Sequence, residues 1–138
     1  PAQIWTHTKA ISKSKDFNLI CGVDPKNSKL QIFKKRFKKS LAYRNISQIP
    51  KDLKIDLAII ATPANKHFIS IAQLLKRIKP SMIICEKPIE SSIQNSMKIL
   101  KVCKKKKIKL AVNYIRRCDP SAATIKKIIT DKQKKLKN

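Results

Sequence analysis

The chain has only two glutamates, and one of them stands in Glu86-Lys87-Pro88, directly after the uncharged run MIIC. A carboxylate and an amine at the end of an apolar segment need partners or a task, because taking them out of water costs free energy. Pro88 fixes the backbone there and holds Lys87 extended. A lysine in that position can take the proton of a hydroxyl group while hydride leaves the carbon bearing it, which is general-base work. The plain alternative is a surface turn holding a charge pair.

Three more polar clusters follow apolar runs in the same way. Asp24 closes FNLICGV, Thr62-Pro63-Ala64-Asn65-Lys66-His67 follows DLAIIA, and Asn113-Tyr114-Ile115-Arg116-Arg117 follows KLAV. At the end of the second strand of a mononucleotide fold, Asp24 can accept both hydroxyls of an adenosine ribose and repel a 2′-phosphate. Its other reading is a turn aspartate before Pro25. Lys26 beside it leaves NAD and NADP both open. Thr62-Pro63 with Asn65 has the chemistry of a helix start, which also points backbone N–H groups at a pyrophosphate. His67, in the first turn, faces either the crevice or solvent, and taken alone it reads as structural or merely exposed.

These clusters need elements to carry them. Apolar periodicity predicts helices over 4–13, 28–37, 65–77, 92–105 and 121–135, with a short one over 46–53 broken by Pro50. Core faces are expected from Leu30, Phe33 and Phe37, then from Phe68, Ile71, Ala72 and Leu75, then from Ile93, Met97, Leu100 and Cys103. Ile125, Ile128 and Ile129 share one side of the last, basic helix. Strands are expected over 17–23, 56–61, 81–85 and 109–112, with a weak one over 41–44. Strands alternating with helices imply parallel crossovers, and continuous apolar strands imply a sheet covered on both faces. The fold class is therefore α/β, a doubly wound parallel sheet. In such a sheet the carboxyl ends of the strands face one crevice, where ligands bind, so the four clusters should meet on one rim.

Composition narrows the partners. The chain has 138 residues and a formal net charge of +25, made from 28 Lys and only 5 Arg. Readers of nucleic acid lean on Arg and on aromatic platforms, and aromatics are 5% here. The lysines are spread out, and the run Lys104–Lys107 falls at a helix end, where cations suit the macrodipole. Nucleic acid is thus the less favoured partner, and a basic module that binds a polyanion is the alternative reading. Cys21, Cys85, Cys103 and Cys118 contain no Cys-x-x-Cys pair, so no metal site is expected. Cys21 and Cys85 read as small buried hydrophobes. No apolar run is long enough for a membrane span, and no secretory signal is seen, so a cytoplasmic setting is expected. A single glycine excludes a complete Gly-rich phosphate loop within these residues.

The segments ICGVDP (20–25), IDLAIIATPANKH (55–67), MIICEKPI (82–89) and KLAVNYIRRCDP (109–120) resemble the glucose–fructose oxidoreductase, inositol dehydrogenase and MocA family. The resemblance covers most of residues 1–120, and the ATP-x-x-x-H plus EKP pairing is its most specific part. It implies a Rossmann domain binding NAD, or NADP, with Lys87 as the catalytic lysine. It implies that Asp24 holds the adenosine ribose and that Thr62, Pro63, Asn65, His67 and Glu86 line the dinucleotide site, with Asn113 and Arg116 near the nicotinamide or substrate. A sugar-like or nucleotide-sugar alcohol is the implied substrate.

Against the family's pattern, the first strand, the Gly-x-Gly loop and the C-terminal α/β domain are not found. Residues 1–120 are therefore expected to be a partial dinucleotide-binding domain, and 121–138 a basic helix starting the connection to the substrate domain. Homo-oligomers are expected only where that domain is present, and an inactive remnant is a further alternative.

Overall fold

The computed structural model describes residues 6–135. In chain order the elements are α1 (His7–Lys13), β1 (Cys21–Val23), α2 (Asn27–Arg36), β2 (Leu41–Tyr43), β3 (Leu57–Ile60), α3 (His67–Leu74), β4 (Met82–Cys85), α4 (Ile93–Lys105), β5 (Lys109–Val112) and α5 (Pro120–Lys135). Short 3-10 turns occupy Ile46–Gln48, Ala64–Lys66 and Ile115–Cys118. Residues 4 and 5 of the first expected helix, and 136–138 of the last, lie outside the described residues.

Every strand pairing is parallel, and the strands form two groups, β1–β2 and β3–β4–β5. The doubly wound order three-two-one-four-five-six assigns a further strand to the position between β1 and β3. No strand among the described residues fills it. The α/β parallel class expected from the alternation of elements is therefore the class observed.

The main core lies between β3–β4–β5 and helices α3 and α4. Ala58, Ile60, Ile83 and Cys85 point into it and meet Ile71, Leu74, Ile99 and Cys103. The opposite faces of β3 and β4, carrying Leu57, Ile59, Met82 and Ile84, are only half-buried. Both faces are thus covered, one more completely than the other. Apolar side chains at every position signal strands, but how much of each face is covered depends on the helices packed there.

Two helices differ from their expected faces. In α4 the buried residues are Ile99 and Cys103, while Ile93, Met97 and Leu100 are exposed, Ile93 by 80%. Both stripes have helical spacing, and only the packing against α3 and β5 selects between them. In α3 the buried face is His67, Ser70, Ile71 and Leu74, with Phe68 and Leu75 packed at its border. The helix expected over 46–53 is reduced to the 3-10 turn at 46–48, capped at both ends of its box by Asn45 and Gln48. Pro50 ends it, and the Arg77 guanidinium holds the Ile49 carbonyl at 2.7 and 3.0 Å.

Local chemistry sets the remaining boundaries. Thr6 caps α1 through Lys9 N–H, and Ser92 caps α4 through Asn95 N–H. Past α4 the left-handed position is taken by Lys107, at φ 56°, and Ile108 N–H closes back on the Cys103 carbonyl.

Candidate active site

The site is built where β3, β4 and β5 end. The ladder continues one residue past each strand: Glu86 N–H donates to the Ile60 carbonyl at 2.9 Å, and Asn113 N–H to the Cys85 carbonyl at 2.8 Å. This sets Glu86 and Asn113 side by side. Asn113 Nδ2 donates to Glu86 Oε1 at 2.7 Å, and His7 Nε2 meets the same oxygen at 2.6 Å. Lys87 N–H reaches the other oxygen at 3.4 Å. The Asn113 amide holds the Glu86 carboxyl below the usual range, and its bonds to His7 and Lys87 add to this against the opposing effect of partial burial.

Lys87 follows Glu86 with its side chain in solvent, and its bond to Pro88 is cis. The argument from desolvation therefore applies to the half-buried Glu86 and is corrected for Lys87. An exposed amine is free to meet a ligand from above the strand ends.

A second cluster joins the end of β3 to the turn after β4. His67 is 1% exposed. Its Nε2 lies 2.8 Å from the Thr62 carbonyl oxygen, and its Nδ1 3.1 Å from the carbonyl oxygens of both Pro88 and Ile89. The histidine of the ATP-x-x-x-H segment thus faces neither crevice nor solvent. It holds the backbone on which Thr62 and Lys87 stand. The Thr62 hydroxyl shares a 3.2 Å hydrogen bond with Ser70, while Pro63 and Asn65 are exposed at the 3-10 turn leading into α3.

Asp24 stands at the carboxyl end of β1, its N–H on the Tyr43 carbonyl at 3.1 Å. One carboxylate oxygen accepts from Lys26 N–H at 2.8 Å, the turn role anticipated for it, and the other lies 3.8 Å from Lys29 Nζ. Arg116 sits exposed on the 3-10 turn after β5. Two hydrogen-bonded clusters result, Glu86 with Asn113, His7 and the Lys87 N–H, and His67 with Thr62 and the Pro88–Ile89 turn, joined through the chain at Lys87-Pro88, while Asp24 ends β1 and Arg116 follows β5. A cleft of about 370 Å³ between α2 and β2, lined by Leu30, Lys34, Tyr43 and Arg44 among others, contains none of these residues.

Sequence reasoning missed two participants. His7 is one of only two histidines, and the need of Glu86 for a partner was the available signal. Glu90, the second glutamate, is 6% exposed and accepts from Phe68 N–H at 2.9 Å and from Ser91 N–H and hydroxyl at 2.8 and 3.0 Å. Among the described residues no group of three His, Cys, Asp or Glu is placed to hold a metal ion. Cys85 is buried as expected, with its thiol pushed up to about 11, first by burial and then by Glu86 and Glu90. Cys21 is half-buried.

A family model described as an oxidoreductase family with an NAD-binding Rossmann fold matches residues 5–114. The chain belongs to the glucose–fructose oxidoreductase, inositol dehydrogenase and MocA family. It is 31% identical over 127 residues to an inositol 2-dehydrogenase of Rhizobium meliloti, covering 91% of this chain and 37% of that protein. An uncharacterized oxidoreductase of Schizosaccharomyces pombe is 29% identical over 89 residues, covering 64% of this chain and 24% of that one. The structure of scyllo-inositol dehydrogenase from Lactobacillus casei, with bound NAD(H) and scyllo-inositol, superposes with a TM-score of 0.77 at 18% identity, over 94% of this chain and 39% of that one. That likeness shows a shared fold. The chain spans less than two fifths of the length of the curated relatives it matches, and among its described residues no helix is long and apolar enough to cross a membrane.

Proposed function

We propose that this chain forms the coenzyme-binding part of an NAD-dependent oxidoreductase acting on a hydroxyl-bearing carbon of a sugar-like polyol. The observation that carries this reading is the Glu86 carboxylate, fixed by His7 and Asn113 at the end of β4, with the exposed Lys87 next to it. Such a pair combines a rigid anchor with an amine open to a ligand. The names of the relatives, an inositol 2-dehydrogenase and a scyllo-inositol dehydrogenase, support a polyol as substrate.

The residues fit a dinucleotide in chemistry. Asp24 offers a partly exposed carboxylate at a strand end, where ribose hydroxyls find an acceptor. Thr62, Pro63 and Asn65 lie where the chain enters α3, and Asn113 and Arg116 flank the outer strand ends. His67 contributes through the backbone it holds. The bound coenzyme supplies an acceptor for hydride. Lys87 Nζ, in its neutral amine form, takes the hydroxyl proton as the carbon–hydrogen bond breaks, and Glu86, through Asn113 and His7, keeps the Lys87 backbone in place.

NAD is the preferred coenzyme on this reading, because the Asp24 carboxylate repels a 2′-phosphate, although Lys26 and Lys29 beside it soften the discrimination. The setting is cytoplasmic, and subunit association belongs to parts of the protein beyond this domain.

The deciding experiment uses full-length protein. Lys87→Ala should lower kcat/KM for polyol oxidation by about 10²- to 10⁴-fold, while NADH binding, followed by fluorescence, changes little. An unchanged kcat/KM removes Lys87 from the chemistry.

A further inference from the structure

We propose that His67 acts as a two-ended donor, an imidazolium with both N–H groups directed at carbonyl oxygens, that ties the turn carrying Lys87 to the end of β3 with Glu90 as its counter-charge. The proposal stands on the geometry of the ring and does not depend on the dinucleotide reading. Among the described residues, every polar atom within hydrogen-bond distance of the ring is a backbone carbonyl: Thr62 at Nε2, and Pro88 and Ile89 at Nδ1. A carbonyl oxygen only accepts. A neutral ring carries one N–H, so one of its nitrogens would turn a lone pair toward an oxygen lone pair at 2.8 or 3.1 Å. Solvent cannot relieve that contact, because the ring is 1% exposed. A second ring proton removes the conflict and satisfies all three carbonyls.

A buried cation needs an anion nearby, and the chain supplies one in the same turn. Glu90 is 6% exposed, and one of its oxygens takes the N–H of Phe68, the residue after His67. Burial pushes the Glu90 carboxyl up, but the hydrogen bonds from Phe68 and Ser91 and the charge of His67 outweigh it and leave the carboxyl below its ordinary range. The other ionisable groups around the ring do not compete for this role. From β4, Cys85 keeps its thiol proton, at about 11, and Glu86 is engaged with His7 and Asn113. Lys66, next to His67 in the chain, is exposed, and from α4 Lys98 lies over the Phe68 ring at 5.5 Å. Three carbonyls from two backbone segments thus converge on one charged ring.

The test is a ring-nitrogen NMR measurement on protein labelled with 15N-histidine. His7→Gln leaves His67 as the remaining histidine of this chain and so identifies its signals. At neutral pH both His67 nitrogens should show the shifts of protonated nitrogens. Glu90→Gln keeps an acceptor for Phe68 N–H and removes the charge, and should move one His67 nitrogen to the pyridine-like position. One pyridine-like nitrogen in the unaltered protein overturns the proposal, and that measurement stands whether or not Glu90→Gln folds. Two protonated nitrogens in a folded Glu90→Gln protein overturn the counter-charge assignment.

Discussion

His7 Nε2, in α1, lies 2.6 Å from Glu86 Oε1 at the end of β4, across 79 positions of sequence. No side chain of α1 is fully buried, so this bond is a specific tie between that helix and the sheet. A double-mutant cycle with His7→Ala and Glu86→Gln should give a coupling of about 1 kcal/mol in urea unfolding. Additive effects would mean that the bond contributes nothing to the folded state.

Stability should fall in acid through both glutamates. Asn113 lowers Glu86, and the hydrogen bonds to Glu90 overcome its burial, so both carboxyls sit below their unfolded value of about 4.3 when the chain is folded. Above that value both states are ionised and the contribution is fully present. As pH drops, the unfolded chain binds protons first, and stability is lost down through the folded values. Urea midpoints measured below about pH 4.3 should decline less steeply for Glu90→Gln than for the unaltered protein. Parallel slopes would remove Glu90 from the account.

Gly22 is held to its type by contact with an aromatic ring. A Cβ there would meet two atoms of the Phe33 ring at 2.8 Å. Gly22→Ala should cost about 1–3 kcal/mol by overpacking, and adding Phe33→Leu should recover part of it. A neutral Gly22→Ala in thermal melts would show that α2 shifts freely on β1.

For the coenzyme, Asp24→Ala in full-length protein should weaken NADH binding about tenfold, the loss of one charge-assisted pair of hydrogen bonds. NADPH binding should change less, because a repulsive charge is lost along with a donor's partner. Fluorescence titrations with both coenzymes decide it, and an unchanged ratio of affinities would sink the ribose role.

The elements and their order were legible because apolar runs and helical spacing are local signals. The 109–112 strand is observed with the expected bounds, and 81–85 differs by one residue. The exposed stripe of α4 was misread because Ile93, Met97 and Leu100 have the same period as the buried set. His7 escaped because its partner lies 79 positions away, and a sequence shows no contacts at that range. The function of His67 was obscured for a different reason. Its acceptors are main-chain carbonyls, which exist at every position and leave no mark on composition.

Among the described residues β1–β2 and β3–β4–β5 share no ladder, and this bears on their exchange with solvent. β4 is flanked on both sides, whereas β1 and β3 each have one paired side among the described residues. Backbone amides of Ile83 and Ile84 should therefore exchange with deuterium slowest, and those of Cys21 to Val23 far sooner. Asp24 would then share the faster exchange of β1–β2, and Lys87 would stand beside the slow centre of the sheet.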